Sequence, residues 1–243
     1  MSRDLLTAPT GLTRAQVDGL GVKAAQGLDL AMMALNTSLG ENALFSGQKT
    51  ATPALASSDQ LLSALSTAIS AAQAISASQV EDAVTTWFNA QTGFSAVIYQ
   101  GGSPLAPVSV SADQTVQLDI TAADPAIVDT LKGLALGALL SRGILSGSDV
   151  ARADLAQRAG QHLMDAQVPM TSLSARLGTV QASLKDATTR NEAEDATLQN
   201  ARLSLLSVDP YETATKMQEM QTQLQTLYAI TARAARLSLV DFL

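Results

Sequence analysis

The sequence contains no cysteine and only one histidine, and aromatic residues make up 3% of its 243 positions. Without cysteine, neither a disulfide framework nor a thiolate metal site is possible. The apolar residues are mostly alanine, leucine and valine, which suit close helix packing better than a large globular core. These features favour a mainly helical, elongated protein.

The charge and hydropathy patterns exclude two further classes of protein. The net charge is −7 and lysine and arginine form no cluster, so we expect no nucleic-acid partner. The longest apolar run, residues 134–140, is far shorter than the roughly 20 residues that span a bilayer, so we expect no membrane insertion. Residues 1–11 lack the basic start and apolar core of a cleaved signal peptide. Export, if it occurs, would then use no cleaved signal.

No set of side chains has the spacing of a catalytic site. The best carboxylate candidates are Glu81, Asp82, Asp119, Asp124 and Asp129. We expect them at turns, helix caps and helix surfaces, without a paired base, nucleophile or metal ligand. The single histidine is expected on a helix surface. The sequence therefore predicts no enzyme, no cofactor and no metal site.

The strongest pattern is a row of mostly apolar residues spaced alternately three and four positions apart, as in the seam of a coiled coil. This first seam consists of Leu163, Ala166, Met170, Leu173, Leu177, Val180, Leu184, Ala187, Asn191, Glu194, Leu198, Ala201 and Leu205. It predicts a long helix with a helical partner. Pro169 should kink or restart this helix, because proline removes one backbone donor.

Two positions of the first seam, Asn191 and Glu194, are polar. One interpretation is that the helix is half exposed there, since polar and charged residues usually face solvent. The other is that Asn191 fixes the register of the coiled coil at a cost in stability. The sequence leaves both interpretations open.

A second helix is predicted after a strong start signal, with Asp209 as N-cap, Pro210 at the first helical position and Glu212 in the first turn. Its apolar residues form a second seam of Ala214, Met217, Met220, Leu224, Leu227, Ile230, Ala234 and Leu237. Nothing else in the sequence remains to cover this seam. We therefore expect it to form the core of an assembly.

The N-terminal part is also predicted to be helical. Thr13 and Gln16 have the spacing of a capping box, which predicts that a helix starts there. Helical spacing of apolar residues continues to about Asn42. Helical spacing returns over residues 58–89, with a break near residues 76–78.

The middle of the chain contains the only β pattern. Residues 94–121 alternate apolar and polar side chains with period two, which predicts a three-stranded meander. Asp124 and Pro125 are expected to cap a helix that continues to about Ser141. Residues 146–148 are expected to cap the long helix of the first seam.

Two segments resemble a known family. Residues 203–243 look like the C-terminal helix shared by bacterial flagellins and hook-associated proteins. Residues 42–53, with Leu-Phe-Ser-Gly and Lys-Thr, are similar to the corresponding segment of the hook-associated protein 3 family, the hook–filament junction proteins. Flagellins usually have Phe-Asn-Gly there. The closing Leu-Ser-Leu-Val-Asp-Phe-Leu also favours the junction proteins.

The resemblance covers roughly the first 55 and the last 80 residues and has two departures from the family pattern. The family places an arginine where this chain has Ser174, while an arginine stands at Arg176. Family members also begin with a longer segment that pairs with the C-terminal helix. The resemblance implies that this chain lacks part of that segment.

The resemblance implies a long antiparallel helical coiled-coil rod with a small inserted α+β domain. The expected parts are residues 1–56 and 148–208 for the rod, 57–147 for the inserted domain and 209–243 for a terminal tube helix. Their expected role is structural, in an extracellular ring between hook and filament, after type III export. The implied partners are copies of the chain itself, a neighbouring hook-associated protein, flagellin and an export chaperone. The alternatives are a flagellin filament subunit and, less favoured, a secreted helical tip protein or adhesin.

Overall fold

The structure, a computed structural model, describes residues 13–111, 114–206 and 210–240, with side chains up to residue 235. Its described part is mainly helical, with a long helix and two small sheets. The mainly α fold class is therefore confirmed, and the coiled-coil rod stays a prediction. The chain divides into two compact units, residues up to 187 and residues from 188 onward. The expected boundaries at residues 56, 147 and 208 also stay predictions.

The elements are numbered here in chain order. They are α1 (Arg14–Leu35), β1 (Ser38–Leu39), β2 (Asn42–Ala43), α2 (Ser58–Ala71), α3 (Ala77–Asn89), α4 (Phe94–Val97), β3 (Val108–Ser111), β4 (Gln114–Val116), α5 (Pro125–Ala138), α6 (Asp149–Asp165), α7 (Gln167–Leu206) and α8 (Pro210–Val240). Strands β1 and β2 form one antiparallel pair, and β3 and β4 form another.

The core of the first unit lies where α5 packs against α1 and α6. Most residues of α5 are buried, so the longest apolar run belongs to the centre of this core. Two glycines allow the close packing. A Cβ on Gly133 of α5 would lie 3.0 Å from the side chain of Leu163, and a Cβ on Gly21 of α1 would lie 2.7 Å from the backbone nitrogen of Ser141.

A buried arginine fastens the turn between α5 and α6. Arg152 is 1% exposed and donates from Nη2 to the carbonyl of Leu140 at 3.0 Å and from Nη1 to the carbonyl of Ile144 at 3.1 Å. Its Nη2 also bonds the carboxylate of Asp18 on α1. Only its Nε lacks a hydrogen-bond partner within the part of the chain that the structure describes. One side chain thus joins α6, the preceding turn and α1.

Three predicted helix starts are confirmed. Thr13 and Gln16 form the capping box of α1. Asp124 accepts a hydrogen bond from the amide of Ala126 at 3.0 Å at the start of α5, and Ser148 accepts from Ala151 at 3.2 Å at the start of α6. At α1 the Gln16 side chain accepts from the amide of Thr13 at 2.9 Å, while Asp124 and Ser148 satisfy amides that have no partner inside their helices.

The three-stranded meander predicted over residues 94–121 is wrong. Its first part is the helical turn α4, because Phe94 is buried and stacks on Phe88 with ring centroids 5.4 Å apart. Among the described residues of this range, β3 pairs with β4, which ends at Val116, and Tyr99 makes an isolated bridge with Leu55. Alternation alone could not distinguish a strand from an irregular segment that buries every second residue.

One predicted helix end is wrong, and one predicted interruption is confirmed. Helix α1 ends at Leu35 rather than near Asn42, because Asn36 turns its side chain to the backbone of Leu55, donating to its oxygen at 2.9 Å and accepting from its nitrogen at 2.8 Å. The helix of the first seam is interrupted at Ala166, between α6 and α7, which confirms the restart predicted near Pro169. Pro169, the third residue of α7, cannot donate back to α6.

Candidate assembly surface

Helix α8 presents the second seam as an exposed apolar stripe. Five of its side chains, those of Met217, Met220, Leu224, Leu227 and Ile230, are between 52% and 66% exposed. Their spacing keeps them on one side of the helix over about 20 Å, at 1.5 Å per residue. Ala214 and Ala234 are exposed as well, and the Leu237 side chain lies outside the described residues. An apolar stripe of this kind marks an interaction surface.

The start of α8 follows the predicted signal in its described residues. Pro210 is the first helical residue, and Glu212 lies in the first turn. Its carboxylate accepts a hydrogen bond from Lys216 at 2.7 Å, one turn later. The predicted N-cap, Asp209, lies outside the described residues. Because negative charge favours a helix N-terminus, Glu212 also stabilises this end of α8 electrostatically.

The first seam changes from buried to exposed along its length. Leu163, Ala166, Leu173 and Ala187 are buried, Met170, Leu177 and Val180 are half-buried, and Leu184, Asn191, Glu194, Leu198, Ala201 and Leu205 are exposed. The exposed fraction reaches 67% at Leu198 and 87% at Leu205. The structure therefore places the predicted seam residues in two environments, and only those of the first are packed in the core.

An ion pair made by Arg176 holds the first part of α7. Arg176 donates to Asp119 at 2.8 Å and lies 3.7 Å from Asp124. Asp124 also caps α5, so the guanidinium of α7 reaches the start of α5. No pattern in the sequence joined these three residues, because they are far apart along the chain.

An apolar groove of about 310 Å³ lies beside this ion pair, within the first unit. Its walls come from α1, α5, the first turns of α7 and the loops before them. They are formed by Ala31, Ala34, Leu35, Phe45, Ile120, Ile127, Thr130, Leu131, Met170, Leu173, Ser174 and Leu177. The first seam thus packs incompletely against the core at this point.

The single histidine takes part in an ion-pair cluster between α3 and α6. His162 Nε2 lies 2.6 Å from Glu81 Oε1, and Arg158 donates to Glu81 Oε2 at 2.6 Å. Arg158 also donates to Asp154 at 3.1 Å. Two expectations are therefore wrong: His162 is half-buried rather than on the helix surface, and Glu81 does have a paired base.

The same cluster changes the acidity of its members. Burial raises the pKa of Glu81, but the hydrogen bonds and charges of Arg158 and His162 outweigh it and hold this pKa below its ordinary value of 4.5. The hydrogen bond to Glu81 raises the pKa of Arg158. Both carboxylate oxygens of Glu81 are occupied, which suits a structural link between helices rather than proton transfer to a substrate.

The segment with Leu-Phe-Ser-Gly forms a tight loop against residues 101–104. Gly47 has a φ of +60°, and a Cβ there would lie 2.4 Å from the carbonyl oxygen of Ser103. The amide of Gln48 donates to that same oxygen at 2.9 Å, and the amide of Gly102 donates to Ser46 at 2.8 Å. Only glycine fits at position 47 without strain.

Among the described residues, no group of three or more His, Asp or Glu side chains is placed to hold a metal ion. In the same ranges, no helix is both long and apolar enough to cross a bilayer.

The helices that carry both seams also lie in a region that is similar to a known family. Residues 161–243 match the bacterial flagellin C-terminal helical region. No curated protein and no solved structure matches the chain significantly. The flagellin match covers the last turn of α6 together with α7 and α8, and thus every residue of the two seams.

The match covers about a third of the chain, and it shows that this part is similar to the C-terminal helical region of bacterial flagellin. The exposed stripe of α8 lies inside the matched region. Among the described surfaces, this stripe is therefore the candidate surface for binding another protein.

Proposed function

We propose that this chain is a structural subunit of the bacterial flagellum at the junction between hook and filament, and that it binds copies of itself through the second seam. The observation that carries this proposal is the exposed apolar stripe on α8, inside the region similar to flagellin. We also propose that residues 148–208 serve as the rod helix and residues 209–243 as the tube helix.

The size of the stripe explains why a single partner helix would not suffice. Full burial of one large aliphatic side chain contributes about 1.5–3 kcal/mol, and the five described residues of the stripe are between 52% and 66% exposed, so burying what remains exposed supplies about 4–9 kcal/mol. Association itself costs about 4–15 kcal/mol. One pairwise contact is therefore marginal, and contacts with several neighbours in a ring or tube would stabilise the assembly cooperatively.

Two features favour a junction protein over a filament subunit. The loop with Leu-Phe-Ser-Gly and the closing segment of the chain both resemble the hook-associated protein 3 family. Under this proposal the partners are further copies of the chain, a hook-associated protein on the hook side, flagellin on the filament side and an export chaperone. The alternative is a filament subunit, which the match to the flagellin helical region also supports.

Electron microscopy of the purified chain distinguishes the two functions. The chain is incubated alone, with the hook-side junction partner and with flagellin filaments. A junction protein binds both partners and forms no long filament alone, whereas a filament subunit grows filaments without the others. A chain that neither polymerises nor binds either partner would contradict both functions.

A further inference from the structure

A groove of about 550 Å³ lies between the end of α2 and the neighbouring helix α3. Most of its lining residues are alanines, namely Ala68, Ala71, Ala72, Ala83 and Ala90. Two residues of α3, Asp82 and Trp87, also line it and differ from the rest in charge and size. Because small side chains let a second helix approach closely, the groove has the shape of a helix-binding surface.

Trp87 is held in place from within the protein. Its ring meets the ring of Phe88 edge-on, with centroids 5.4 Å apart. Phe88 in turn stacks on the buried Phe94. Trp87 itself is half-buried, so part of its ring stays accessible in the groove. Tryptophan and arginine are among the residues most enriched at the energetic centres of protein interfaces.

Asp82 lies in a segment without basic residues. Residues 50–131 contain no lysine, arginine or histidine. Five of the six carboxylates that the structure describes in this segment still have a basic partner, always from residues 132–176. The pairs are Asp59 with Arg142, Glu81 with Arg158, Asp119 and Asp124 with Arg176, and Asp129 with Lys132. Of the six, only Asp82 has no partner within the described part of the chain.

We propose that the groove binds a helix of a separate partner protein that carries one arginine among small residues. The guanidinium pairs with Asp82, and the aliphatic stem lies against the Trp87 ring. Asp82 and Trp87 are five positions apart on α3, about 7.5 Å at 1.5 Å per residue, which one arginine side chain covers. Charge complementarity identifies the occupant, because Asp82 lacks the cation that the other five carboxylates have.

Arginine fits this site better than lysine does. Its planar fork can bind a carboxylate with two parallel hydrogen bonds, and it also packs flat on an aromatic ring. The contact of one helix with this groove is small, below the usual 1,200 Å² of stable complexes. We therefore expect an isolated helix to bind with a Kd of about 1 mM.

The single tryptophan makes the test specific to this groove. Trp87 is the only tryptophan of the chain, so the tryptophan fluorescence of the full protein reports on it alone. The probe is a helical alanine–glutamine peptide with one central arginine. The matched peptide carries citrulline, which has the same shape without the charge. We expect a saturable change in Trp87 emission with the arginine peptide and about fivefold weaker binding of the citrulline peptide.

Two variants test the carboxylate. Asp82→Asn removes only the charge and should weaken binding of the arginine peptide about fivefold, to the level of the citrulline peptide. Glu41→Gln removes an exposed charge at the turn between β1 and β2 and should leave binding unchanged. Equal binding of the two peptides, undiminished binding to Asp82→Asn, or no saturable change up to about 10 mM peptide would overturn the proposal.

Two further measurements test the source of the arginine. Acetyl-arginine amide lacks a helix to lie on the alanines, so it should bind about tenfold more weakly than the peptide. Equal binding would make the ligand a free guanidinium compound and overturn the assignment to a protein. A Trp87 emission that changes with the protein's own concentration in the wild type, but not in Asp82→Asn, would make a second copy the occupant and overturn the assignment to a separate partner.

This inference does not rest on the proposed function, because the groove lies outside the residues that match flagellin. Leu227→Glu in the second seam should leave binding of the arginine peptide unchanged. If the protein forms no larger assembly but binds this peptide, the flagellar proposal fails alone. If it assembles and does not bind the peptide, only the groove proposal fails.

Discussion

Glu81 of α3 and His162 of α6 lie 2.6 Å apart, between Oε1 and Nε2. The other oxygen of the same carboxylate is bonded to Arg158, one turn before His162 on α6. One acidic side chain therefore bridges two basic ones on the neighbouring helix. The single histidine of the chain thus acts as a link between helices.

Replacing Glu81 should lower stability in a pH-dependent way. Glu81→Gln removes the charge from two short hydrogen bonds, and we expect a loss of about 1–2 kcal/mol in the free energy of unfolding near pH 7. Because the Glu81 pKa in the folded state is lowered, its contribution is complete above its ordinary value of 4.5. It disappears as the pH falls through the folded-state pKa. Urea titrations at several pH values measure this difference.

The matched control for this prediction is Asp82→Asn. Asp82 is exposed on the same helix, so its replacement removes an equal charge without breaking the cluster and should change stability by less than about 0.5 kcal/mol. Equal losses in both variants, or a loss for Glu81→Gln that persists in acid, would contradict the assigned role.

Two glycines of α1 should respond to alanine in opposite directions. Gly21→Ala places a Cβ 2.7 Å from the backbone nitrogen of Ser141, which cannot move freely, so we expect a loss of about 1–3 kcal/mol. Gly19→Ala meets open space and should gain about 0.5–1 kcal/mol from helix propensity. Thermal unfolding of both variants tests the packing of α1, and similar melting temperatures would argue against it.

Loss of the buried arginine should be costly. Arg152→Met removes the hydrogen bonds to the carbonyls of Leu140 and Ile144 and the pairing with Asp18, so we expect a loss of about 2–4 kcal/mol. Arg142→Met is the control, because Arg142 pairs with an aspartate that is 84% exposed, and it should cost no more than about 1 kcal/mol. Urea unfolding measures the free energy of unfolding of both variants. A mild effect at Arg152 would mean that the turn does not depend on it.

The two environments of the first seam predict different mutational costs. Leu173 is 7% exposed and Leu198 is 67% exposed. Leu173→Ala should lose about 2–4 kcal/mol, while Leu198→Ala should stay within about 0.5 kcal/mol in dilute solution. Chemical denaturation at low protein concentration measures both. A large loss at Leu198 would show that the exposed part of the seam is packed in the single chain.

Local signals in the sequence predicted the helices well and the contacts between them poorly. The caps at Thr13, Asp124 and Ser148 and the start at Pro210 each depend on neighbouring residues alone, and the structure confirms them. The meander failed because burial of Phe94 depends on Phe88 from another helix. Such tertiary contacts override local β propensity.

The same distinction between local patterns and long-range contacts applies to the candidate surface. Helical periodicity was enough to predict the stripe on α8, because all of its residues lie on one helix. It could not predict Arg176 with Asp119, or Glu81 with His162, since these pairs join segments that are distant in sequence. The groove at Asp82 and Trp87 could not be predicted either, because its walls come from two helices, α2 and α3.

Static light scattering over a range of protein concentrations tests the central claim, self-association through the second seam, most directly. The wild-type chain is compared with Leu227→Glu and with Gln225→Glu, which adds the same charge on the opposite side of α8. We predict that the average mass of the wild type and of Gln225→Glu rises with concentration beyond a dimer, while Leu227→Glu does not exceed a dimer. A wild-type mass that never exceeds a dimer, or a Leu227→Glu variant that assembles like the wild type, would contradict the claim.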